Sequence, residues 1–253
     1  MMRYLQFAII TSVLFMAGCA PEPVFRLESQ HDDVLNYQGM EYLHSQGENS
    51  SVTMAYYRHF GHHILMDVEI MNYSDSILQV DTPNFKYSAK KEYSDGSFDP
   101  LSGGTAVDPE QVILNLDMAS SRAVANERTS QVLDGITVAA NIASDVANVG
   151  ELTEDELDRR DNRRTREAIE RSERRDQFYA TVSSLNEQRA YWETEVLRKT
   201  DLYPEESIAG EVRFPLVEDA NVVEFSVIVG GEEHHFVYRQ KKFQPKKERD
   251  LQK

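Results

Sequence analysis

The 253-residue chain has one cysteine, Cys19, so no disulfide can form within it. Positive charge is also scarce: 27 Lys and Arg stand against 43 Asp and Glu, a formal net charge of -16. Nucleic-acid binding requires a basic face, and this balance argues against it. After Met16 no apolar run is long enough to span a bilayer. The chain has no Gly-x-Ser-x-Gly elbow, no glycine-rich phosphate loop and no His-Glu-x-x-His. Nothing therefore points to nucleophilic catalysis, and a non-enzymatic role without a cofactor is the expectation.

What is present begins at the N-terminus. A short region with one positive charge, Arg3, precedes an apolar stretch from Leu5 to Met16. That length suits a secretory signal and is too short for a mature transmembrane helix. It ends in Met16-Ala17-Gly18-Cys19, which resembles the lipobox of bacterial lipoproteins. The resemblance implies removal of a signal peptide at 1–18, acylation of Cys19 and attachment to a lipid bilayer. Two or three acyl chains anchor stably where one would not. Ala20 stands where an Asp would favour inner-membrane retention, so the resemblance points to the outer membrane, facing the periplasm. Residues 19–50 are polar, with Pro21, Pro23 and Asp32-Asp33, and read as a lipidated tether with one early strand near Gly39 to His44.

The strand signal then strengthens. Val52, Met54 and Tyr56 alternate with Thr53 and Ala55, and Met66, Val68 and Ile70 alternate with Asp67 and Glu69. A period of two places the apolar set on one face of a half-buried strand. Asn72 to Asp75 supplies a turn, since short polar side chains bond their own backbone. Ile77 to Val80 and Phe85 to Tyr87 follow as further short strands, which need a second sheet as cover.

At Asp108 the character changes. Asp108-Pro109-Glu110-Gln111 places an N-cap before proline at the first helical position, with Gln three residues on. Gln131 to Val149 continues as a helix with Val132, Ile136, Ala139, Ala143, Val146 and Ala147 on one side, ending at Gly150. Its small alanines allow close approach by a neighbour, the next helix or another subunit. A Thr153/Glu156 capping box restarts a helix whose arm, Asp158–Asp176, is almost entirely charged. Opposite charges three and four residues apart support a solvated, projecting helix; docking of an acidic partner is the alternative.

Tyr191 to Val196 reads as a return to strand. Val212 and Phe214 oppose Glu211 and Arg213, and Val223, Phe225, Val227 and Val229 form the next strand. Gly230-Gly231 is a two-residue hairpin loop leading back through Glu233 to Arg239. Residues 240–253 carry six Lys and Arg against two acids and are expected to be a disordered basic tail.

Two separated stretches, Ile64 to Leu101 and Leu202 to Phe214, resemble the halves of the telokin-like, immunoglobulin-like domain of bacterial lipoproteins and secreted proteins. Pro204, Gly210, Val212 and Phe214 match its second half, and Glu205 stands where glycine is usual. The resemblance implies a mainly β fold, a β-sandwich in two segments (51–106 and 191–239) interrupted by a helical insertion at 107–190. It implies an uncharacterised binding or structural module, with a protein partner in the envelope.

The histidines form the one constellation that carries chemistry. His59, His62 and His63 share a turn, and His234 and His235 begin the last strand. Neutral imidazoles ligate metals, so a metal-binding or metal-dependent hydrolytic envelope protein is the alternative if the two groups meet across the sheets. Adjacent histidines on an extended strand point to opposite faces, which opposes it.

Overall fold

A computed structural model describes residues 22–31, 33–147 and 154–244. The chain forms two units. A β unit takes the chain up to Val107 and again from Leu197, and a helical unit takes Asp108–Val196.

The β unit orders its strands as β1 (Val24–Ser29), β2 (Leu35–Tyr37), β3 (Met40–Gln46), β4 (Ser50–Phe60), β5 (His63–Asn72), β6 (Leu78–Val80), β7 (Lys86–Glu92), β8 (Phe98–Thr105), β9 (Thr200–Leu202), β10 (Ser207–Pro215), β11 (Val222–Val229) and β12 (Glu232–Phe243). One five-stranded sheet runs β1-β12-β11-β7-β8, a second runs β10-β5-β4-β3-β2, and β6 pairs with β9 in a ribbon. All pairings are antiparallel. Every sheet joins strands from before and after the helices: β5 with β10, β7 with β11, β1 with β12 and β6 with β9. The sheets cannot assemble from either segment alone.

Alternation sets the core. Met66, Val68 and Ile70 of β5, Val212 and Phe214 of β10, and Phe225, Val227, Phe236 and Tyr238 of the first sheet are buried in one apolar cluster. Tyr238 Oη, held in that cluster, donates to the Met54 carbonyl at 3.1 Å and ties one sheet to the other. Gly230 and Gly231, at φ of 58° and 83°, close the β11–β12 hairpin in the left-handed conformation that the strand twist favours and glycine tolerates.

Three boundaries differ from the sequence reading. The early strand near Gly39 to His44 is β3, but residues 19–50 are otherwise not a tether throughout, because β1 and β2 lie between Val24 and Tyr37. Phe25 and Leu27 are buried while Arg26 and Glu28 alternate with them, and β1 pairs along β12. Tyr191 to Thr194 is helix, not strand; Trp192 extends the apolar spacing of Phe178, Val182 and Leu185 and is buried. The tail begins later than 240, since β12 runs to Phe243. Residues beyond Gln244 lie outside those described, as do the signal peptide, Cys19, Gly150 and the Thr153 cap.

The helical unit is a hairpin of α1 (Pro109–Ala147) and α2 (Glu154–Thr194). Asp108 caps α1: its Oδ1 accepts from the amides of Glu110 at 2.9 Å and Gln111 at 3.3 Å. Three polar pairs set an antiparallel register, Arg189 to Asp117 at 2.7 Å, Arg174 to Asp134 at 2.8 Å and Asn141 to Glu167 at 3.3 Å. Each helix is about 60 Å long at 1.5 Å per residue. Among the described residues no helix is long and apolar enough to cross a membrane.

Candidate functional site

The two histidine groups do not meet. His59 lies near the far end of β4 and His234 beside Ser50 at its start, nine residues apart along one strand, or about 30 Å. His59 Nδ1 lies 3.2 Å from the Phe25 carbonyl, and its ring packs edge-on to Phe25 with centroids 5.5 Å apart. His59 and His62 share the wall of a cavity of about 150 Å³ with Glu22 and Glu218. His63 pairs with Pro215 at the start of β5, and burial lowers its imidazole below the usual range, helped by Arg213. His235 is exposed and sits 3.4 Å from Glu233. Among the described residues no three His, Cys, Asp or Glu side chains are grouped to hold a metal ion. The metal reading required the two histidine groups to converge, and the strand length keeps them apart.

His234 belongs instead to a polar clasp joining the β3–β4 turn to the β11–β12 hairpin. The Glu232 carboxylate accepts from the backbone amides of Glu48, Asn49 and Ser50 at 3.0, 2.8 and 3.0 Å. It also accepts from Asn49 Nδ2 at 3.1 Å and Ser50 Oγ at 2.7 Å. Gly47 begins the turn, and a Cβ there would collide with that carboxylate. The hydrogen bond from the Ser50 hydroxyl above all, with those from the turn donors, holds Glu232 down at about 2.

Ser50 Oγ is also 3.0 Å from His234 Nε2, and His234 Nδ1 is 3.0 Å from Ser45 Oγ. Since the Ser50 proton goes to Glu232, His234 must donate from Nε2 and accept at Nδ1. Burial lowers the His234 imidazole, which suits this neutral tautomer. A serine nucleophile needs the reverse, with serine donating to the imidazole and the carboxylate orienting the other ring nitrogen. Ser50 is also fully buried, with 0% of its surface exposed. Ser, His and Glu here fasten two turns and present no nucleophile.

The clasp carries a pH prediction. Because the folded-state Glu232 value lies below the unfolded 4.5, its stabilisation is complete above 4.5 and is lost as pH falls toward about 2. Its carboxylate is partly open to water, and screening leaves Glu232→Gln costing about 1 kcal/mol at neutral pH. In urea unfolding at pH 7 and pH 3 the difference between variant and wild type should narrow at the lower pH. A difference unchanged between the two would refute the ionic role.

A site that offers space lies elsewhere in the β unit. An open groove of about 490 Å³ runs between β1 and the strands β3 and β4. Arg26 and Glu28 line one side, Glu41, Tyr56 and Arg58 the other. Tyr56 Oη donates to the Phe25 carbonyl at 2.7 Å, and the Glu41 carboxylate accepts from the Ser29 amide at 2.9 Å, so the walls are cross-braced. Glu28 pairs with Lys241 at 2.5 Å, and the Arg58 guanidinium lies 5.0 Å from the Tyr57 ring centroid. Mixed charges and aromatic faces on a braced frame equip the groove for recognition by hydrogen bonding and stacking. Sequence reasoning missed it because β1 was read as tether. The alternation of Phe25 and Leu27 with Arg26 and Glu28 was the available signal. No protein-family model matches this chain, and no curated protein matches it.

Proposed function

We propose that this chain is an envelope lipoprotein: an immunoglobulin-like β-sandwich serving as a non-catalytic binding or structural module in the periplasm, anchored to the outer membrane through acylated Cys19. The two five-stranded antiparallel sheets around one core support the sandwich reading. The anchoring rests on the apolar leader and the sequence Ala17-Gly18-Cys19. The observation that carries the non-catalytic reading is the clasp, where the serine and histidine best placed for chemistry are buried and committed to holding turns. The braced groove supplies a surface for a ligand or an envelope protein.

On this reading Cys19→Ser releases the protein from the membrane fraction or leaves the precursor uncleaved. Fractionation and mass determination of the mature N-terminus check it; normal processing with unchanged membrane association sinks the anchor. Crosslinking in native envelopes, compared between wild type and Arg26→Glu, tests the groove as the partner-binding surface.

A further inference from the structure

The hairpin leaves one apolar face of α1 exposed. In its first half α1 buries Ile113 and half-buries Val112, Leu116 and Val124; from Glu127 on its half-buried positions are polar, Glu127, Ser130, Asp134 and Asn141, and Asp134 and Asn141 bond residues of α2. On the opposite face, half a turn away by helical geometry, Leu114, Met118, Val132 and Ile136 are exposed, Val132 and Ile136 by 63% and 61%. These four side chains leave on the order of 400 Å² of apolar surface uncovered on one helix face, about half of the ~800 Å² per partner of a standard interface.

We propose that this face pairs with α1 of a second copy of the chain, antiparallel, about a two-fold axis between Arg128 and Thr129. The exposed stripe is Leu114, Met118, Ser121, Ala125, then Val132, Ile136, Ala139 and Ala143. Its steps are four, three, four, seven, four, three and four residues, alike from either end, as an antiparallel self-pairing requires. The sizes are complementary as well. Antiparallel pairing sets Leu114 against the partner's Ala143 and Met118 against the partner's Ala139. It sets Ser121 against the partner's Ile136 and Ala125 against the partner's Val132. Each layer joins a large side chain to a small one, which lets two helices interlock at short separation. An in-register parallel pairing would instead stack alanine on alanine and leave gaps.

The steps of three and four are those of a helix–helix seam. A lipid surface is the poorer fit: α1 carries two arginines, Arg122 and Arg128, against the acids Glu110, Asp117, Glu127, Asp134 and Asp145, whereas helices lying in a membrane interface are rich in Lys and Arg. An unrelated protein would require neither the symmetric spacing nor the self-complementary sizes.

The test uses the full chain in detergent. Sedimentation equilibrium at tens of micromolar should give a dimer, and Val132→Asp should weaken it at least ten-fold with an unchanged circular dichroism spectrum, since Val132 is exposed in the single chain. Register is tested with Leu114→Cys and Ala143→Cys and a short bismaleimide, wild type being the control for Cys19. The two variants mixed should give a covalent dimer that neither gives alone. A monomeric wild type, a dimer indifferent to Val132→Asp, or crosslinking by each variant alone but not favoured in the mixture would overturn the proposal.

Discussion

Phe225→Ala should destabilise the β unit by about 4 kcal/mol, the usual cost of deleting a buried aromatic ring from a core. Phe225 has 0% of its surface exposed. It lies on β11 in the first sheet, and its ring centroid is 4.7 Å from that of Phe214 on β10 in the second. On its other side Tyr238 stands 5.8 Å away, edge-on. The ring thus bridges the two sheets, and alanine would open a cavity between them. Urea unfolding followed by tryptophan-independent far-ultraviolet dichroism should show the β signal lost in one transition shifted to lower denaturant. A loss under about 1 kcal/mol, or a split β transition, would mean that the sheets do not depend on a common core.

The features legible in the sequence were those whose cause is local. The alternation of Met66, Val68 and Ile70 marks β5, and the glycine pair at 230–231 marks the last hairpin, where both residues take positive φ. Asp108 before Pro109 marks the start of α1. Where two local signals competed, the reading failed. Tyr191 to Val196 is rich in aromatic and β-branched residues and reads as strand, yet the three- and four-residue spacing from Phe178 through Trp192 continues the helix to Thr194. At 24–37 the acids, with Pro21 and Pro23 just before them, masked the short strands β1 and β2, of which β1 is held by β12 from far along the chain.

The candidate site was less legible, for a related reason. Glu232 and Ser50 are 182 residues apart, and nothing local to either marks the bond between them. His234 invites a metal reading until Ser45 and Ser50 are seen to occupy both ring nitrogens. Glu205 takes the left-handed conformation at φ 64° without being glycine, and the turn closes with the Glu206 amide bonding the Tyr203 carbonyl at 3.1 Å. A non-glycine residue in that conformation costs roughly 1 kcal/mol.

Asn72→Ala should cost about 3 kcal/mol, since it strands buried polar groups whose desolvation is then uncompensated. Asn72 ends β5 with 0% of its surface exposed and uses its whole hydrogen-bonding capacity. Nδ2 donates to the carbonyls of Ser76 at 2.8 Å and Leu202 at 2.9 Å, and Oδ1 accepts from Ser74 N at 2.9 Å and Ser74 Oγ at 2.8 Å. Its backbone bonds Glu205 and Glu206 as well, so one residue joins β5, the following turn and the segment that returns after the helices. Asn72→Asp separates this role from simple turn formation. Aspartate keeps both acceptor bonds to Ser74, so a residue needed only for the turn would tolerate it with little loss. It also places a carboxylate against the Ser76 and Leu202 carbonyls with no hydrogen to offer either. At neutral pH Asn72→Asp should therefore be at least as destabilising as Asn72→Ala in urea unfolding, and should recover part of the loss at pH 3, where a protonated carboxyl can donate once. Near-wild-type stability of the aspartate variant at pH 7 would confine Asn72 to its own turn and remove it as the link between the two chain segments.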